Sequence, residues 1–362
     1  MKNQNYYILL LFLVFNFSCE KENNYFSSKP NQGQANDRII GLLTNKKDYY
    51  GLNNLKGNIE SIKYDVYSAI QKNNKVIKGD ILNEAFKHVL IEFDKKMQVN
   101  RLNFFSYGNL SKQIEYKFNN KGKLTHYKEF FRENLKSEKM ILIQNDTFNY
   151  DKHGNLTRRL SHNKHYSNAT TENTYKYLYK NRNISEIIYN EQYDTLKRVN
   201  TFDNDNKIIE FKIFDISGKL TLICKQKFNK KGNITEKIFF DGDGLLTYQE
   251  LFNYTQNEKL IENNEYLKNK LIKKYNYTYN KDSSLKKVDF YKFEEPDIGM
   301  TSTIYNDKND IIEIKYYNPD GTFNSSGITE YEYDNYDNWI KKIEYDDKRA
   351  YAVIERKISY TN

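Results

Sequence analysis

Histidines, cysteines and carboxylates are the residues to question first about chemistry, and in this chain their spacing argues against it. His162 and His165 stand three apart, with His153 nearby. On a helix that spacing sets two imidazoles on one face, where a metal binds. Here it falls in a polar connection between strand-like runs, so no metal site is expected. Asp241-Gly242-Asp243-Gly244 offers oxygen ligands for calcium. An EF-hand loop requires Gly at its sixth position and Glu at its twelfth. Counted from Asp241 these are Leu246 and Phe252, and a plain turn is expected instead. Cys224 ends the apolar run Leu220-Thr221-Leu222-Ile223-Cys224 and reads as a buried, inert thiol. A hydrolase would need a nucleophile beside a base, or two carboxylates at a set distance. The acids fall mostly in turns or on wet strand faces, and no nucleophile-elbow, metalloprotease or phosphate-loop phrase occurs. A non-enzyme is expected, with no catalytic residue, no metal and no cofactor.

The residues that do form a pattern are turn residues. Phe214-Asp215-Ile216-Ser217-Gly218-Lys219-Leu220 is followed by Phe228-Asn229-Lys230-Lys231-Gly232-Asn233-Ile234, then by Phe240-Asp241-Gly242-Asp243-Gly244-Leu245-Leu246. Each is an aromatic, an Asp or Asn, a short polar gap, a Gly and an aliphatic. Gly enters positive φ without steric cost, and Asp or Asn bonds its own backbone nearby. The phrase also occurs at Phe118 to Leu124 and Tyr150 to Leu156, with degenerate copies at Tyr179 to Ile184 and Phe202 to Ile208.

The residue after the turn recurs at Ile208, Ile234, Leu260, Leu285, Ile312 and Trp339, a period of about 26 residues and the mark of a repeat architecture. Half a period holds a tight turn and a strand of about eight residues. Tight turns make neighbouring strands antiparallel, and no helical pattern intervenes to build a parallel sheet. The first strand-like run alternates Ile62, Tyr64 and Val66 against Ser61, Lys63 and Asp65, and further runs lie at Phe86 to Phe93 and Asn100 to Phe105. Ile209, Phe211 and Ile213 share a face; so do Leu271, Tyr275, Tyr277 and Tyr279, and Thr329, Tyr331 and Tyr333. Trp339 is placed by register with Ile343 and Tyr345, in the core. Such alternation marks an antiparallel sheet wet on one side, with tyrosines in cross-strand ladders. The expected fold class is all-β: a repetitive antiparallel meander of roughly 20 strands, too many to stay flat, forming a long curled sheet or shell.

Composition agrees. The chain has 362 residues, of which 15% are aromatic, including 33 Tyr and 22 Phe. Disordered chains lack aromatics, and these suit a pleated, half-buried surface. The formal charge of +9 comes from 57 basic and 48 acidic residues of interspersed sign, which reads as a solvated lysine-rich surface and not a nucleic-acid site. A transmembrane barrel also alternates along its strands, but the candidate outward faces carry too many Lys, and that reading is set aside.

Residues 1–18 form a leader: Lys2, then a short apolar run from Tyr6 to Phe17 broken by Asn16, too short to span a bilayer as a helix. Ser18-Cys19 followed by Glu20-Lys21-Glu22 resembles a bacterial lipoprotein signal, although Asn16 stands where Leu is usual. The resemblance implies that Cys19 is the acylated first residue of the mature chain. Residues 19–50 are then a polar tether, in which Arg38 to Leu43 suggests a short helix, and residues 51–362 the repeat domain.

Aromatic-Asp-x-x-Gly-Asn-Leu resembles the YD repeat of the RHS family, best at Tyr150 to Leu156, Phe228 to Ile234 and Tyr331 to Trp339, where Asp337 replaces the Gly. Phe240 to Gly244 and Tyr317 to Phe323 look like the MORN-type hairpin. The resemblance implies a shell-like sheet and a role in surface interaction. No toxic cargo is expected, because strand-like sequence continues to Tyr360 and the stricter core-closing motif is missing. The functional expectation is a membrane-anchored repeat lipoprotein at the bacterial outer membrane, held through Cys19, with an envelope protein as partner. The alternative is a glycan-binding lipoprotein of a polysaccharide-uptake system. A hydrolase on an unfamiliar β-scaffold ranks last.

Overall fold

A computed structural model describes residue 52 and residues 55–361, apart from 74, 83–87, 135–136, 165–168, 181–182, 192–193 and 294–298. The leader, Cys19, the tether with its suggested helix, and His165 lie outside the described residues. Within them the chain forms 23 strands, β1 to β23 in chain order, from Ile59 to Tyr360. From β3 (Val89–Phe93) onward each strand pairs antiparallel with the next. The last, β23 (Arg349–Tyr360), pairs with β1 (Ile59–Lys72), and β1 pairs with β3. The meander therefore closes into a barrel of 22 strands. The sequence-based expectation of an antiparallel all-β meander holds. The curled sheet it left open is a ring, which removes the edges a shell would expose.

The recurrent phrase builds the turns as its chemistry demands. The Asp215 N–H donates to the Lys219 carbonyl at 2.9 Å and the Gly218 N–H to the Asp215 carbonyl at 3.0 Å. Asp215 Oδ1 accepts the N–H groups of Ser217 and Lys219, both at 2.9 Å. Gly218 has φ 81°. This is a type I turn closed by a left-handed residue. Asn229 and Asp241 repeat it. Where Gly is absent the left-handed position is still filled, by Asn206 (φ 62°), Ser283 (φ 82°) or Asp337 (φ 61°).

Beside these turns the pairing slips by one residue. Phe228 lies opposite Ile234, but Lys227 lies opposite Glu236. Such a bulge changes which residues share a face, and two sequence-based assignments fail for this reason. Tyr333 faces Trp339 while Tyr331 faces Lys342, so Trp339 lies with Lys342 and Glu344, not with Ile343 and Tyr345. Glu265 faces Lys273 while Tyr266 faces Leu271. Ile272 is thus the buried residue there, and Leu271 leaves the face of Tyr275 and Tyr277.

One face of the ring is buried: Ile62, Tyr64 and Val66 on β1, Ile91 on β3, Phe211, Cys224 and Phe239 further round. Side chains converge on the concave side of a closed sheet, and the described chain supplies no second layer, so this face is the interior. Its aromatics pair across strands, as Tyr116 with Tyr127 (ring centroids 5.6 Å apart) and Tyr175 with Tyr189 (5.8 Å), each pair contributing roughly 0.2–1 kcal/mol. Charges on this face are matched. Lys237 bonds Glu250 at 3.1 Å and Lys273 bonds Glu265 at 2.9 Å. The outward face carries the exposed ion pairs, such as Arg158 with Glu172 and Lys341 with Glu332.

Candidate functional site

The two rims of the barrel differ. At one, the entry rim, the chain begins β1 and finishes β23: the Thr361 N–H donates to the Asn58 carbonyl at 2.9 Å. The turns here touch their neighbours around the ring, with Lys96 Nζ reaching the Asn120 carbonyl (2.6 Å), Lys231 Nζ that of Gln256 (2.9 Å) and Lys308 pairing with Asp337. The regular period of the sequence belongs to this rim.

The far rim carries the same turn at Asp215 to Lys219 and Asp241 to Leu245, and beside it a strand the sequence did not reveal. β2 (Lys75–Ile81) pairs with the last part of β1, and β3 pairs with the same edge of β1 nearer the entry rim. The two share one position in the ring. At their junction His88 is buried, with Nδ1 3.0 Å from Asp65 Oδ1 and Nε2 2.8 Å from the Leu82 carbonyl. The Asp65 carboxylate and the Leu82 carbonyl hold the ring from its two nitrogens. β1 and β2 thus make a hairpin beside the far rim. Its cross-strand pair Ile70 and Ile77 is nearly half exposed. Lys75-Val76-Ile77-Lys78 lacks the turn phrase and strict alternation, which hid the strand.

Against this hairpin lies a cavity of about 780 Å³, lined by Ser68, Ala69 and Gln71 of β1 and by Tyr316, Gly327, Asp346, Arg349 and Tyr351. Tyr316 belongs to β20 (Ile311–Tyr317), Gly327 to β21 (Phe323–Tyr333), Asp346 to β22 (Trp339–Asp346) and Tyr351 to β23. Tyr316 and Tyr351 are 43% and 52% exposed, on the side of the sheet that buries most of its aromatics. Gly327 lies opposite Ile314 on one side and Asp346 on the other, and removes a side chain from the floor between the tyrosines. The walls are braced: Gln71 Nε2 donates to the Lys348 carbonyl at 3.3 Å, the Asp347 side chain accepts the Ser326 N–H at 2.8 Å, and the Tyr351 hydroxyl donates to Glu344 at 3.1 Å. Burial first, and then Glu344, raise the Tyr351 phenol above its ordinary value, so it stays a donor. An aromatic-lined cleft of this volume with a few convergent polar groups is the form of a small-ligand site.

A smaller cavity of about 200 Å³ at the entry rim involves Lys56, Lys308, Asp310, Asp337, Trp339 and Arg356. The Arg356 guanidinium stacks on Trp339 at 3.3 Å, and burial lowers its pKa to about 9, still charged at neutral pH. Burial raises the Asp310 carboxyl although the Tyr333 hydroxyl bonds it at 2.8 Å. Lys56 and Lys308 both pair with Asp337 across the seam where the ring closes.

The residues singled out in the sequence are scattered. Cys224 is fully buried, and burial raises its thiol to about 12. His153 packs on Tyr179 with ring centroids 4.6 Å apart, and His162 bonds Thr170 at 2.9 Å. Among the described residues no cluster suited to a metal occurs. Asp241 and Asp243 sit in an ordinary turn. Glu250 and Glu265 do face each other across strands, but each is buried against its own lysine and neither meets solvent enough to work on a substrate.

No protein-family model matches the chain, and no curated protein matches it. Among solved structures it is similar to a porin-like protein from Bacteroides uniformis ATCC 8492, at 9% identity and a TM-score of 0.31, covering 84% of this chain and 98% of that one. It is also similar to TcdB2-TccC3-TEV, at 8% identity and a TM-score of 0.28, covering 73% of this chain and 19% of that one. A porin-like protein from Bacteroides vulgatus ATCC 8482 follows at 12% identity and a TM-score of 0.19, covering 84% of this chain and 98% of that one. At these scores the site is read from this chain alone.

Proposed function

We propose that the chain is a non-enzymatic binding barrel of the bacterial envelope, built from YD-like repeats and tethered to the outer membrane by lipid on Cys19. The outward face carries the reading. A barrel that crosses a bilayer turns an apolar band outward. Here the outward face bears Lys63, Arg101, Glu115, Arg158, Glu172 and Lys341, many in ion pairs. That surface suits a barrel standing in water, attached by a leader-derived anchor and not by its own strands. β1 begins at the entry rim, and the tyrosine cleft lies at the opposite one. Partner proteins or glycans would approach from that side.

The test is fractionation of cells making the full chain or Cys19→Ala. The full chain is expected in the outer-membrane fraction and in the detergent phase on partitioning, and Cys19→Ala in the soluble phase. A variant that stays in the membrane fraction would refute the lipid tether.

A further inference from the structure

We propose that the cleft between Tyr316 and Tyr351 is a binding site for a neutral saccharide. The inference rests on the binding-barrel reading and names the class of its ligand.

Two rings are left half exposed on the side of the sheet that buries most of its aromatics. They flank Gly327, where the sheet has no side chain at all. Leaving these rings wet is unfavourable for the free protein, and a ligand that covers them takes apolar surface out of water. Gly327 does not have a positive φ, and a Cβ built there meets only the Tyr345 carbonyl, at 3.8 Å. The backbone does not require glycine, so its effect is the space it leaves over the floor. Nor can the cleft simply collapse, because Gln71, Asp347 and the Tyr351 hydroxyl tie its walls to separate strands.

The lining sets the ligand chemistry. Asp346 and Arg349 cancel in charge, which disfavours a strongly charged ligand. Ser68, Gln71, Asp346 and Arg349 supply donors and acceptors of both kinds around the rings. A ligand that matches has a flat apolar face for a tyrosine and a rim of hydroxyl groups for the polar residues. A pyranose ring has both. An extended peptide adds a strand along an open edge, whereas this cleft is lined by side chains around a glycine. β1 rises about 3.3 Å per residue, so Ile59 and Gln71, at its two ends, are separated by roughly 40 Å. The cleft thus lies at the end of the barrel remote from the start of β1.

The experiment is a neutral-glycan array followed by calorimetry on the full-length chain in detergent, with malto-, cello-, xylo- and chito-hexaose as the titrants. At least one neutral glycan is expected to bind. Tyr351→Ala and Tyr316→Ala should each weaken it tenfold or more. Gly327→Leu should abolish it, while Tyr336→Ala, an exposed tyrosine at the entry rim, should leave it unchanged. Unfolding curves of the two Ala variants, matched to the parent, separate lost binding from lost folding. The inference is overturned if no neutral glycan binds, if only charged glycans or peptides bind, or if binding survives both Tyr351→Ala and Gly327→Leu. The membrane test above is independent. Release of Cys19→Ala without any glycan binding would leave the tethered barrel standing and remove this site alone.

Discussion

Asn338 closes the barrel against Lys56 with its side chain. Its Oδ1 accepts the Lys56 N–H and its Nδ2 donates to the Lys56 carbonyl, both at 2.8 Å, between residues 282 apart in sequence. The amide imitates one rung of a strand ladder where the last entry-rim turn meets the start of β1. Asn338 is buried, so removing it strands two backbone groups. Asn338→Ala is expected to cost about 1–3 kcal/mol, read as a lower urea midpoint at unchanged slope. Asn335→Ala, exposed in the same turn, should do nothing. Equal midpoints for the two variants would show that the seam does not depend on this amide.

The left-handed turn position makes predictions of opposite sign. Gly244 has φ 84° and open space where a Cβ would go, so Gly244→Ala meets only the backbone penalty of about 1–2 kcal/mol. Ser283 already bears that penalty at φ 82°. Ser283→Gly should therefore stabilise, by about 0.5–1 kcal/mol after the extra freedom of the unfolded chain is deducted. Thermal unfolding of both variants checks the pair, and shifts of the same sign would contradict the turn assignment.

The Cys224 thiol is raised to about 12 because burial disfavours the thiolate, more than Arg198 and Lys237 favour it. It should not react with a disulfide reagent at pH 8 in the native protein, and should react fully once urea unfolds the chain. Rapid native labelling in a Cys19→Ala background, where this is the remaining thiol, would contradict its burial.

Acid should loosen the turns. The Ser217 hydroxyl and the N–H groups of Lys219 and Ser217 hold the Asp215 carboxyl below its usual range. At Asp151 burial pushes upward, but N–H, amide and hydroxyl donors from Asn155, Tyr179 and His153 outweigh it and the carboxyl ends lowered. A depressed folded value gives stability that is present above the unfolded value of about 3.9 and is lost as pH falls through the folded one. Asp215→Asn keeps the acceptor oxygen, as Asn229 does in its own turn, and removes the titration. Urea midpoints from pH 7 to pH 2 should thus fall less steeply for the variant below about pH 4. Asp310 acts in the other direction: burial raises its carboxyl, so its contribution declines as pH rises through the folded value.

The turn schedule was legible in the sequence because each turn is made by residues within five positions of one another. Asp215 bonds Ser217 and Lys219 whatever the rest of the chain does. The buried face of β1 and the cross-strand tyrosines were legible for a related reason, since a period of two needs no distant partner. Trp339 and Leu271 were misplaced because the one-residue bulge that sits beside each of these turns shifts the alternation that follows it. β2 and His88 were missed because the strand is short, lysine-rich and outside the repeat.

From the sequence alone follow the antiparallel order, the spacing of the reversals and the inert setting of Cys224, all products of local backbone chemistry and side-chain polarity. Tertiary structure alone decided that β23 meets β1, that β2 and β3 share one edge, and that Tyr316 and Tyr351 flank a glycine floor. The first depends on pairing between segments about 300 residues apart, as Tyr64 with Arg356, where small twists summed over many strands determine whether a sheet stays open or closes.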